Sequence, residues 1–255
     1  MESSSPIIQV KNLTAQYDEK IIIDNISFEV NSGEIFVVIG PSGCGKTTLM
    51  NHIIGLQTPS TGEVFIDGDN IITATEQELI HILNKIGVTY QSGALFGSMN
   101  LIENVRLPLE EFTDLSEDAM DIIAHDKLAL VGLADYLDYM PAEVSGGMQK
   151  RAAIARAMAL DPKILFFDEP SAGLDPVTSA QIDQLILELA ETLGSTFFIV
   201  SHELPSIFAI ADRVIMLHNG KILAAGKPET LRDSCDNVLV KQFFNREVPK
   251  NHDTQ

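Results

Sequence analysis

One segment near the amino terminus restricts the possible folds more than any other part of the chain. A strand-like apolar run, Glu34 to Ile39, is followed by Gly40, Gly43 and Gly45, and then by Thr47 to Ile54, which has the apolar spacing of a helix. A buried strand that passes through a glycine-rich turn directly into a helix begins a βαβ unit. Because such units place their strands in one sheet, the segment predicts an α/β fold with a parallel sheet.

Two later segments agree with this fold class. Thr178 to Leu193 has helical spacing and lies between two strand-like runs, Ile164 to Phe167 and Thr196 to Val200, so that the three predict a second βαβ unit. Val214 to Ala224 predicts a hairpin that turns at Asn219-Gly220.

The regions outside this core have other patterns. Ile7 to Val38 predicts short strands with turns at Asp24-Asn25 and at Asn31 to Gly33, and Gly62 to Gly68 predicts a further strand. Residues from about 92 to 160 are largely helical in pattern, and Ser116 caps a run that continues to Val131. The sequence therefore predicts an α/β core that is interrupted by a helical lobe.

The domain boundaries follow from these patterns. We predict one domain over residues 1–231, with the lobe at about 92–160 inserted in it, and a C-terminal extension over residues 232–255. In the extension, Val240, Phe243 and Phe244 are expected to pack on the domain, whereas the polar tail from Lys250 is expected to be loose.

The charge and the apolar runs exclude several classes of protein. The net charge of −19 disfavours binding to the phosphate backbone of DNA or RNA, so no nucleic-acid partner is expected. The apolar runs have the length of strands, and Met1 to Ser5 lacks the pattern of a signal peptide, which favours a cytosolic protein. Two cysteines, Cys44 and Cys235, support neither a disulfide framework nor a zinc site.

The glycine-rich turn also has a specific chemistry. Its sequence satisfies the pattern G-x-x-x-x-G-K-[ST], in which glycines let successive N–H groups point inward and the following helix adds its positive dipole end. Lys46 supplies a positive charge for the β and γ phosphates, and the Thr47 hydroxyl is a ligand for Mg²⁺. The turn therefore predicts that ATP binds with Mg²⁺, and the predicted binding residues are Gly40, Pro41, Ser42, Gly43, Cys44, Gly45, Lys46, Thr47 and Thr48. The alternative, a chance glycine turn, is disfavoured by the lysine, the threonine and the flanking strand and helix.

A pair of carboxylates forms a second nucleotide signal. Asp168 and Glu169 directly follow the apolar run from Ile164 to Phe167. Asp168, at the end of a strand, is predicted to bind Mg²⁺, and Glu169 is predicted to polarise a water molecule for attack on the γ phosphate. Seen alone, such a pair is commonly an acidic turn after a core strand, but its occurrence together with the glycine-rich turn disfavours that alternative.

Three further positions are candidate functional residues only in combination, since none of them indicates a function by itself. Ser145-Gly146-Gly147 precedes a stretch rich in arginine and alanine and predicts a helix start with exposed backbone donors, although a simple helix cap is the commoner reading. His202 follows a predicted strand at its carboxyl end, where ligands collect in open α/β sheets. Gln91 ends the short strand Gly87 to Tyr90.

Taken in this order and spacing, these features resemble the nucleotide-binding subunits of ABC transporters from about Ile7 to Leu231. The resemblance implies a P-loop NTPase core of the ABC ATPase type, with an N-terminal antiparallel β subdomain and an inserted α-helical lobe. It also implies that Tyr17 stacks on adenine, that Gln91 touches Mg²⁺ and water, and that His202 contacts the γ phosphate. The implied catalytic residues are Glu169, His202, Gln91 and Lys46, and the implied metal ligands are Thr47, Gln91 and Asp168.

The resemblance further implies that one chain is an incomplete enzyme. ATP would lie between the glycine-rich turn of one subunit and Ser145, Gly146 and Gly147 of a second copy in a head-to-tail dimer. Asp175, in the loop after Glu169, joins the nucleotide-binding set. Val144 and Met148 replace the Leu and Gln that are most frequent in this signature. Because the serine hydroxyl and the glycine backbone contact phosphate, activity is expected to survive both changes.

The segment that begins at Gln91 indicates one subfamily within the ABC transporter ATPases. Gln91 to Phe96, and Ser145 to Met148 followed by Arg151 to Ala157, are similar to the ATPase of bacterial Mla-type phospholipid transport systems, which maintain outer-membrane lipid asymmetry. This similarity implies an integral membrane permease, an MCE-domain protein and a small STAS-domain protein as partners, and a place on the cytoplasmic face of the bacterial inner membrane. Two alternatives stay open, namely the ATPase of a small-solute importer and a non-transport ABC ATPase such as one for iron–sulfur assembly.

Overall fold

The computed structural model describes residues 6–246 and confirms the α/β class. Its strands are Ile8–Tyr17 (β1), Lys20–Val30 (β2), Ile35–Ile39 (β3), Thr61–Ile66 (β4), Asp69–Asn70 (β5), Ile86–Thr89 (β6), Ile164–Asp168 (β7), Thr196–Val200 (β8), Arg213–His218 (β9) and Lys221–Gly226 (β10). Its helices are Lys46–Ile53 (α1), Glu76–Leu83 (α2), Leu101–Phe112 (α3), Glu117–Leu130 (α4), Gly146–Ala157 (α5), Pro176–Leu193 (α6), Leu204–Ile210 (α7), Pro228–Ser234 (α8) and Val238–Asn245 (α9). The predictions for Met1 to Ser5 and for the tail from Lys250 concern residues outside the described range.

The first of two compact units is formed by the chain up to Thr73 and from Val200 onward. It contains an antiparallel sheet in the order β2-β1-β4-β5 and, separately, β3 in parallel pairing with β9, which pairs in antiparallel fashion with β10. The predicted strand before the glycine-rich turn, the helix after it and the hairpin at Asn219-Gly220 are confirmed as β3, α1 and β9–β10.

The predicted turn at Asp24-Asn25 is wrong, because β2 runs through both residues without reversing. Asn25 has a φ of 48° and Asn12, on β1, has a φ of 49°, both in the left-handed region that asparagine tolerates. The ladder between β1 and β2 shifts register between Val10 and Leu13 and again beyond Leu13. The left-handed residues therefore accommodate irregular pairing inside a strand instead of a chain reversal.

The C-terminal helices belong to the same unit. The side chains of Val240 and Phe244 are buried, and the ring centroid of Phe244 lies 5.6 Å from that of Phe208 on α7. The expected packing of this segment on the domain is confirmed for both residues. The predicted boundaries of the extension, residues 232–255, and of the lobe, about 92–160, stay predictions.

The second unit comprises Ala74 to Ile199. In it β6 pairs in parallel with β7, whose other neighbour is β8, and α6 connects β7 to β8 as the second predicted βαβ unit. Helices α3, α4 and α5 pack on one another, and Ser116 caps α4 as predicted. Helix α2 was not predicted, although Thr75 and Glu78 form a reciprocal capping box at its start.

Candidate functional site

The glycine-rich turn of the first unit leads directly into α1, whose N-terminal end has no side-chain cap. Helix α1 begins at Lys46, and its N-cap residue Gly45 has no side chain with which to bond the first-turn amides. The first turn of α1 also carries no acidic residue, whereas α2, α3, α4, α5, α6 and α9 are capped by a side-chain oxygen. A helix start without a side-chain cap, at the positive end of the helix dipole, is a binding site for anions such as phosphate.

Close packing explains why the turn needs glycine at its two ends. A Cβ atom on Gly40, which has a φ of 148°, would lie 2.3 Å from the carbonyl oxygen of Leu217. On Gly45, which has a φ of 106°, it would lie 2.8 Å from Cδ1 of Ile23. A side chain at either position would displace the backbone of the turn, so both glycines are required by the path of the chain.

Lys46 bridges the turn that precedes it. Its side chain is buried, and Nζ donates hydrogen bonds to the carbonyl oxygens of Gly40 at 2.9 Å and Pro41 at 3.2 Å. Burial raises the pKa of the neighbouring Cys44 thiol, and the charge of Lys46 opposes this only in part. Cys44 is therefore a neutral thiol in the turn, as expected for a residue that supplies a small side chain.

A cavity of about 290 Å³ brings the predicted phosphate and base contacts together. Tyr17, at the end of β1, lines it with Ile22 and with the predicted residues Gly43, Gly45, Lys46, Thr47 and Thr48. The hydroxyl of Tyr17 donates a hydrogen bond to Oε1 of Gln57. The other predicted turn residues, Gly40, Pro41, Ser42 and Cys44, belong to the turn but are not among the residues that line this cavity.

His202 lies in the same unit. The residue before it, Ser201, donates its backbone N–H to the carbonyl oxygen of Val38 at 3.1 Å, and Val38 lies on β3 shortly before the turn. The His202 side chain is about half exposed, and its Nε2 is 3.8 Å from Oε1 of Glu203. The backbone next to His202 is thus held to the strand that leads into the glycine-rich turn.

The second unit holds the predicted carboxylates. Asp168 ends β7, Glu169 follows it, and both side chains are buried. Asp168 and Gln91 line a cavity of about 530 Å³ together with Tyr90, Ser92, Ala172 and Gly173. Glu169 is not among these lining residues, and its φ of 51° places a non-glycine residue in the left-handed region. Such backbone strain is concentrated at functional sites.

Lys150, on α5, is a residue of this region that the sequence reading missed. Its Nζ donates hydrogen bonds to the carbonyl oxygens of Gln91 and, at 3.4 Å, of Glu169. Burial lowers the pKa of Lys150, and the charges of Asp168 and Glu169 oppose that shift. A single lysine on a helix usually indicates a solvated face, so the sequence offered no signal beyond its place next to the signature.

The segment after Gln91 is held by polar side chains of α3 and α5. Asn104 is fully buried; its Oδ1 accepts from the N–H of Phe96 at 2.8 Å, and its Nδ2 is within 3.1 Å of the carbonyl oxygens of Phe96, Met99 and Asn100. Arg156 donates to the carbonyl oxygens of Ala94 at 2.7 Å and Gly93 at 2.9 Å. These bonds fix the backbone, while the Phe96 ring remains half exposed.

The signature residues begin α5 as predicted. The hydroxyl of Ser145 accepts a hydrogen bond from the N–H of Met148 at 3.3 Å. A Cβ on Gly147 would lie 2.6 Å from Cγ2 of Thr178, whereas one on Gly146 would meet only Leu174, at 3.7 Å. Ser145, Gly146 and Gly147 line neither of the two cavities described above.

Asp175 has a structural role in the second unit. Its carboxylate accepts hydrogen bonds from the N–H groups of Val177 at 3.0 Å and Thr178 at 3.1 Å, and from the Thr178 hydroxyl. The bonds to Thr178, foremost the one from its hydroxyl, lower the pKa of Asp175. Asp175 therefore caps α6, and its predicted part in nucleotide binding stays a prediction.

Residues 6–246 lack both a cluster of metal-binding side chains and a membrane-spanning helix. They hold no group of three or more His, Cys, Asp or Glu residues arranged to bind a metal ion. In that range no helix combines the length and the apolar character needed to cross a bilayer.

The chain is similar to a protein family, to known sequences and to solved structures. A family model described as "ABC transporter" matches residues 23–172. The chain is 41% identical over 241 residues to the "Intermembrane phospholipid transport system ATP-binding protein MlaF" of Haemophilus influenzae, covering 94% of this chain and 91% of that protein. It is also 41% identical over 238 residues to the "Probable ribonucleotide transport ATP-binding protein mkl" of Mycobacterium leprae, covering 93% and 68%. Among solved structures, the dimeric post-hydrolysis state of the ATP-binding cassette MJ0796 bound to ADP and Pi matches with a TM-score of 0.78 and 33% identity, covering 86% and 98%.

Proposed function

This chain belongs to the ABC transporter family, and from that premise we propose that it hydrolyses ATP to drive phospholipid transport by a membrane permease. The family also confirms the predicted P-loop NTPase core of the ABC ATPase type. The observation that carries the ATP-binding part is the cavity that Tyr17 shares with Lys46 and the uncapped start of α1.

The chemistry of this cavity suits a nucleoside triphosphate. The start of α1, which has no side-chain cap, and the Lys46 ammonium stabilise the polyphosphate, because both present positive charge to anionic oxygens. Tyr17 supplies a ring face for the adenine. The Thr47 hydroxyl, Asp168 and Gln91 are the proposed ligands of Mg²⁺, an ion that prefers oxygen donors and completes its shell with phosphate oxygens and water. A site of this kind needs no dense cluster of carboxylates, which fits the described residues.

Hydrolysis requires a base beside the attacking water, and we assign that role to Glu169. Its backbone carbonyl accepts a hydrogen bond from Lys150, and its backbone adopts the left-handed conformation. His202 is assigned to the γ phosphate, and Gln91 to the metal and the water. These assignments rest on the family resemblance of each position.

A second copy of the chain is proposed to complete the site. Ser145, Gly146 and Gly147 present the start of a helix, yet they line neither cavity. The cassette MJ0796, which shares the fold, is dimeric in its ADP- and Pi-bound state. In a head-to-tail dimer these residues would bind the ATP held by the glycine-rich turn of the other copy. ATP closure and hydrolytic opening of such a dimer would drive the permease.

Ribonucleotide is a competing candidate for the transported substrate. Two relatives that are equally identical to this chain are named for phospholipid transport and for ribonucleotide transport, respectively. The phospholipid relative is covered over 91% of its length and the ribonucleotide relative over 68%. The segment Gln91 to Phe96 also resembles the Mla-type ATPases. We therefore favour phospholipid, with an integral permease, an MCE-domain protein and a STAS-domain protein as partners at the cytoplasmic face of the inner membrane.

Purification of the complex from membranes tests this assignment. We expect the chain to copurify with a permease and the complex to retain phospholipid, identified by mass spectrometry. Recovery with soluble scaffold proteins would instead support an iron–sulfur assembly ATPase. Retention and transport of ribonucleotides, or of another small solute, without lipid would overturn the lipid assignment.

Removal of the Lys46 charge tests nucleotide binding directly. Lys46→Ala is expected to weaken MgATP binding by at least about tenfold, because a hydrogen bond to a charged group contributes about 1.5–3 kcal/mol. Lys241→Ala, which removes an exposed lysine on α9, serves as the matched control. Wild-type affinity in Lys46→Ala, measured by calorimetry, would contradict the assignment.

A further inference from the structure

One contact of the first unit points to a residue outside the predicted site. Gln57, in the connection between α1 and β4, accepts the hydrogen bond that the phenol of Tyr17 donates. We propose that Gln57 is a positioning residue that holds the ring of Tyr17 in place for the base of the nucleotide. This inference rests on the proposed function, in which Tyr17 stacks on adenine.

Tyr17 needs such support because its surroundings hold it weakly. It is the last residue of β1, directly before the turn to β2, and it is 43% exposed. A partly packed ring that must be ordered on ligand binding costs conformational entropy at that step. A hydrogen bond at its hydroxyl restricts the ring beforehand, so less of that cost falls on nucleotide binding.

Gln57 can restrict the ring because its own backbone is fixed at the end of α1. Its N–H donates to the carbonyl oxygen of Asn51 at 3.3 Å, and its carbonyl oxygen lies 2.9 Å from Nδ1 of His52. Since a carbonyl oxygen only accepts, Nδ1 of His52 carries the proton in this contact. His52 is buried on α1, the helix that begins at Lys46.

These bonds join the two parts of the nucleotide site within one unit. The chain of contacts runs from the Tyr17 hydroxyl through the Gln57 side chain and backbone to His52, and along α1 to the phosphate-binding turn. A neutral amide suits the position, because it offers an acceptor oxygen without adding negative charge beside a polyphosphate. The distance between ring and turn is thereby set by the protein before the nucleotide arrives.

The test compares two ligands that share the phosphates and differ in the base. Affinities of the full chain for MgATP and for magnesium tripolyphosphate are measured by calorimetry. Gln57→Met, which keeps the length of the side chain, is expected to weaken MgATP binding about three- to tenfold, the range of one net hydrogen bond. Tripolyphosphate binding should change less than about twofold, because the phosphate contacts stay intact.

A double-mutant cycle separates positioning from a general structural effect. In a Tyr17→Phe background, Gln57→Met should have no further effect on MgATP binding, since the bond it removes is already lost. Gln57→Glu keeps an acceptor and should preserve the ratio of the two affinities even if its charge weakens both. Gln184→Met, an exposed glutamine on α6, is the matched control and should behave as wild type.

The outcomes separate failure of this inference from failure of the proposed function. Equal weakening of both ligands by Gln57→Met, or a loss that persists in the Tyr17→Phe background, overturns the positioning role. A wild-type chain that binds MgATP no more tightly than tripolyphosphate overturns the role of Tyr17 itself. If Gln57→Met does not fold, Tyr17→Phe alone decides, since unchanged MgATP affinity in that variant removes the basis of the proposal.

Discussion

The two adjacent glycines at the start of α5 offer a stability test in which each is the control for the other. Both lie in the first turn of the same helix, so replacement by alanine gives a similar gain in helix propensity, up to about 1 kcal/mol. Their surroundings differ. The added Cβ meets Cγ2 of Thr178 at 2.6 Å in Gly147→Ala, whereas in Gly146→Ala it meets Leu174 at 3.7 Å, an ordinary contact distance.

Thr178 cannot easily move away from the new methyl group. Its hydroxyl and its N–H are both bonded to the carboxylate of Asp175, which caps α6. Rotation of the side chain would break the hydroxyl bond, so the helices must shift instead. Overpacking of this kind costs about 1–3 kcal/mol. Because the propensity gains cancel, Gly147→Ala should be less stable than Gly146→Ala by about the same amount.

Urea unfolding of the purified variants measures this difference, and thermal unfolding should show a gap of at least about 2–4 °C in Tm. Thr178→Ser removes Cγ2 and keeps the hydroxyl that bonds Asp175. Combined with Gly147→Ala, it should recover most of the lost stability. Equal stability of the two alanine variants, or no recovery with Thr178→Ser, would refute the steric argument.

Three further predictions concern hydrolysis, the segment after Gln91 and pH. Glu169→Gln should keep ATP binding and trap the closed dimer, because the water loses its polarising carboxylate; normal turnover in the assembled transporter would refute the role of Glu169. Asn104→Leu removes the hydrogen bonds that the Asn104 side chain makes to the backbone of Phe96, Met99 and Asn100. It should lower the free energy of unfolding by at least about 2 kcal/mol in urea, and unchanged stability would contradict this. Burial lowers the pKa of His52 in the folded chain below 6.5. As the pH falls below 6.5, the unfolded chain therefore binds more protons than the folded chain. The stability that His52 contributes above pH 6.5 is then lost as the pH falls through the folded pKa. His52→Gln should reduce the loss of unfolding free energy between about pH 7.5 and 5.5, and an unaltered pH dependence would contradict this.

The sequence predicted those features that depend on chemistry local in the chain. The glycine-rich turn, the strand before it and the helix after it were predictable because Gly40 and Lys46 follow a fixed spacing. The turn at Asp24-Asn25 was predicted wrongly, since asparagine favours a left-handed backbone both in turns and in irregular strands. Nothing in the sequence distinguishes these two uses, because pairing with a distant strand decides between them.

Contacts between distant residues account for what else the sequence did not reveal. The bond between Tyr17 and Gln57 joins residues 40 positions apart, and that between Lys150 and Gln91 spans 59. Each side chain alone is typical of a polar surface. Only the fold brings the partners together, so neither residue could be assigned a role from its neighbours in the sequence.

The way α5 holds the segment after Gln91 has a consequence for how such a chain can diverge. In residues 91–94, Lys150 and Arg156 bond to the backbone carbonyl oxygens of Gln91, Gly93 and Ala94. Every residue type presents the same carbonyl, so these anchors do not depend on which side chains stand at Ser92 or Ala94. The exposed residues there can be exchanged without releasing the backbone. One scaffold can thus acquire a new recognition surface by a few substitutions while the backbone of this segment keeps its path.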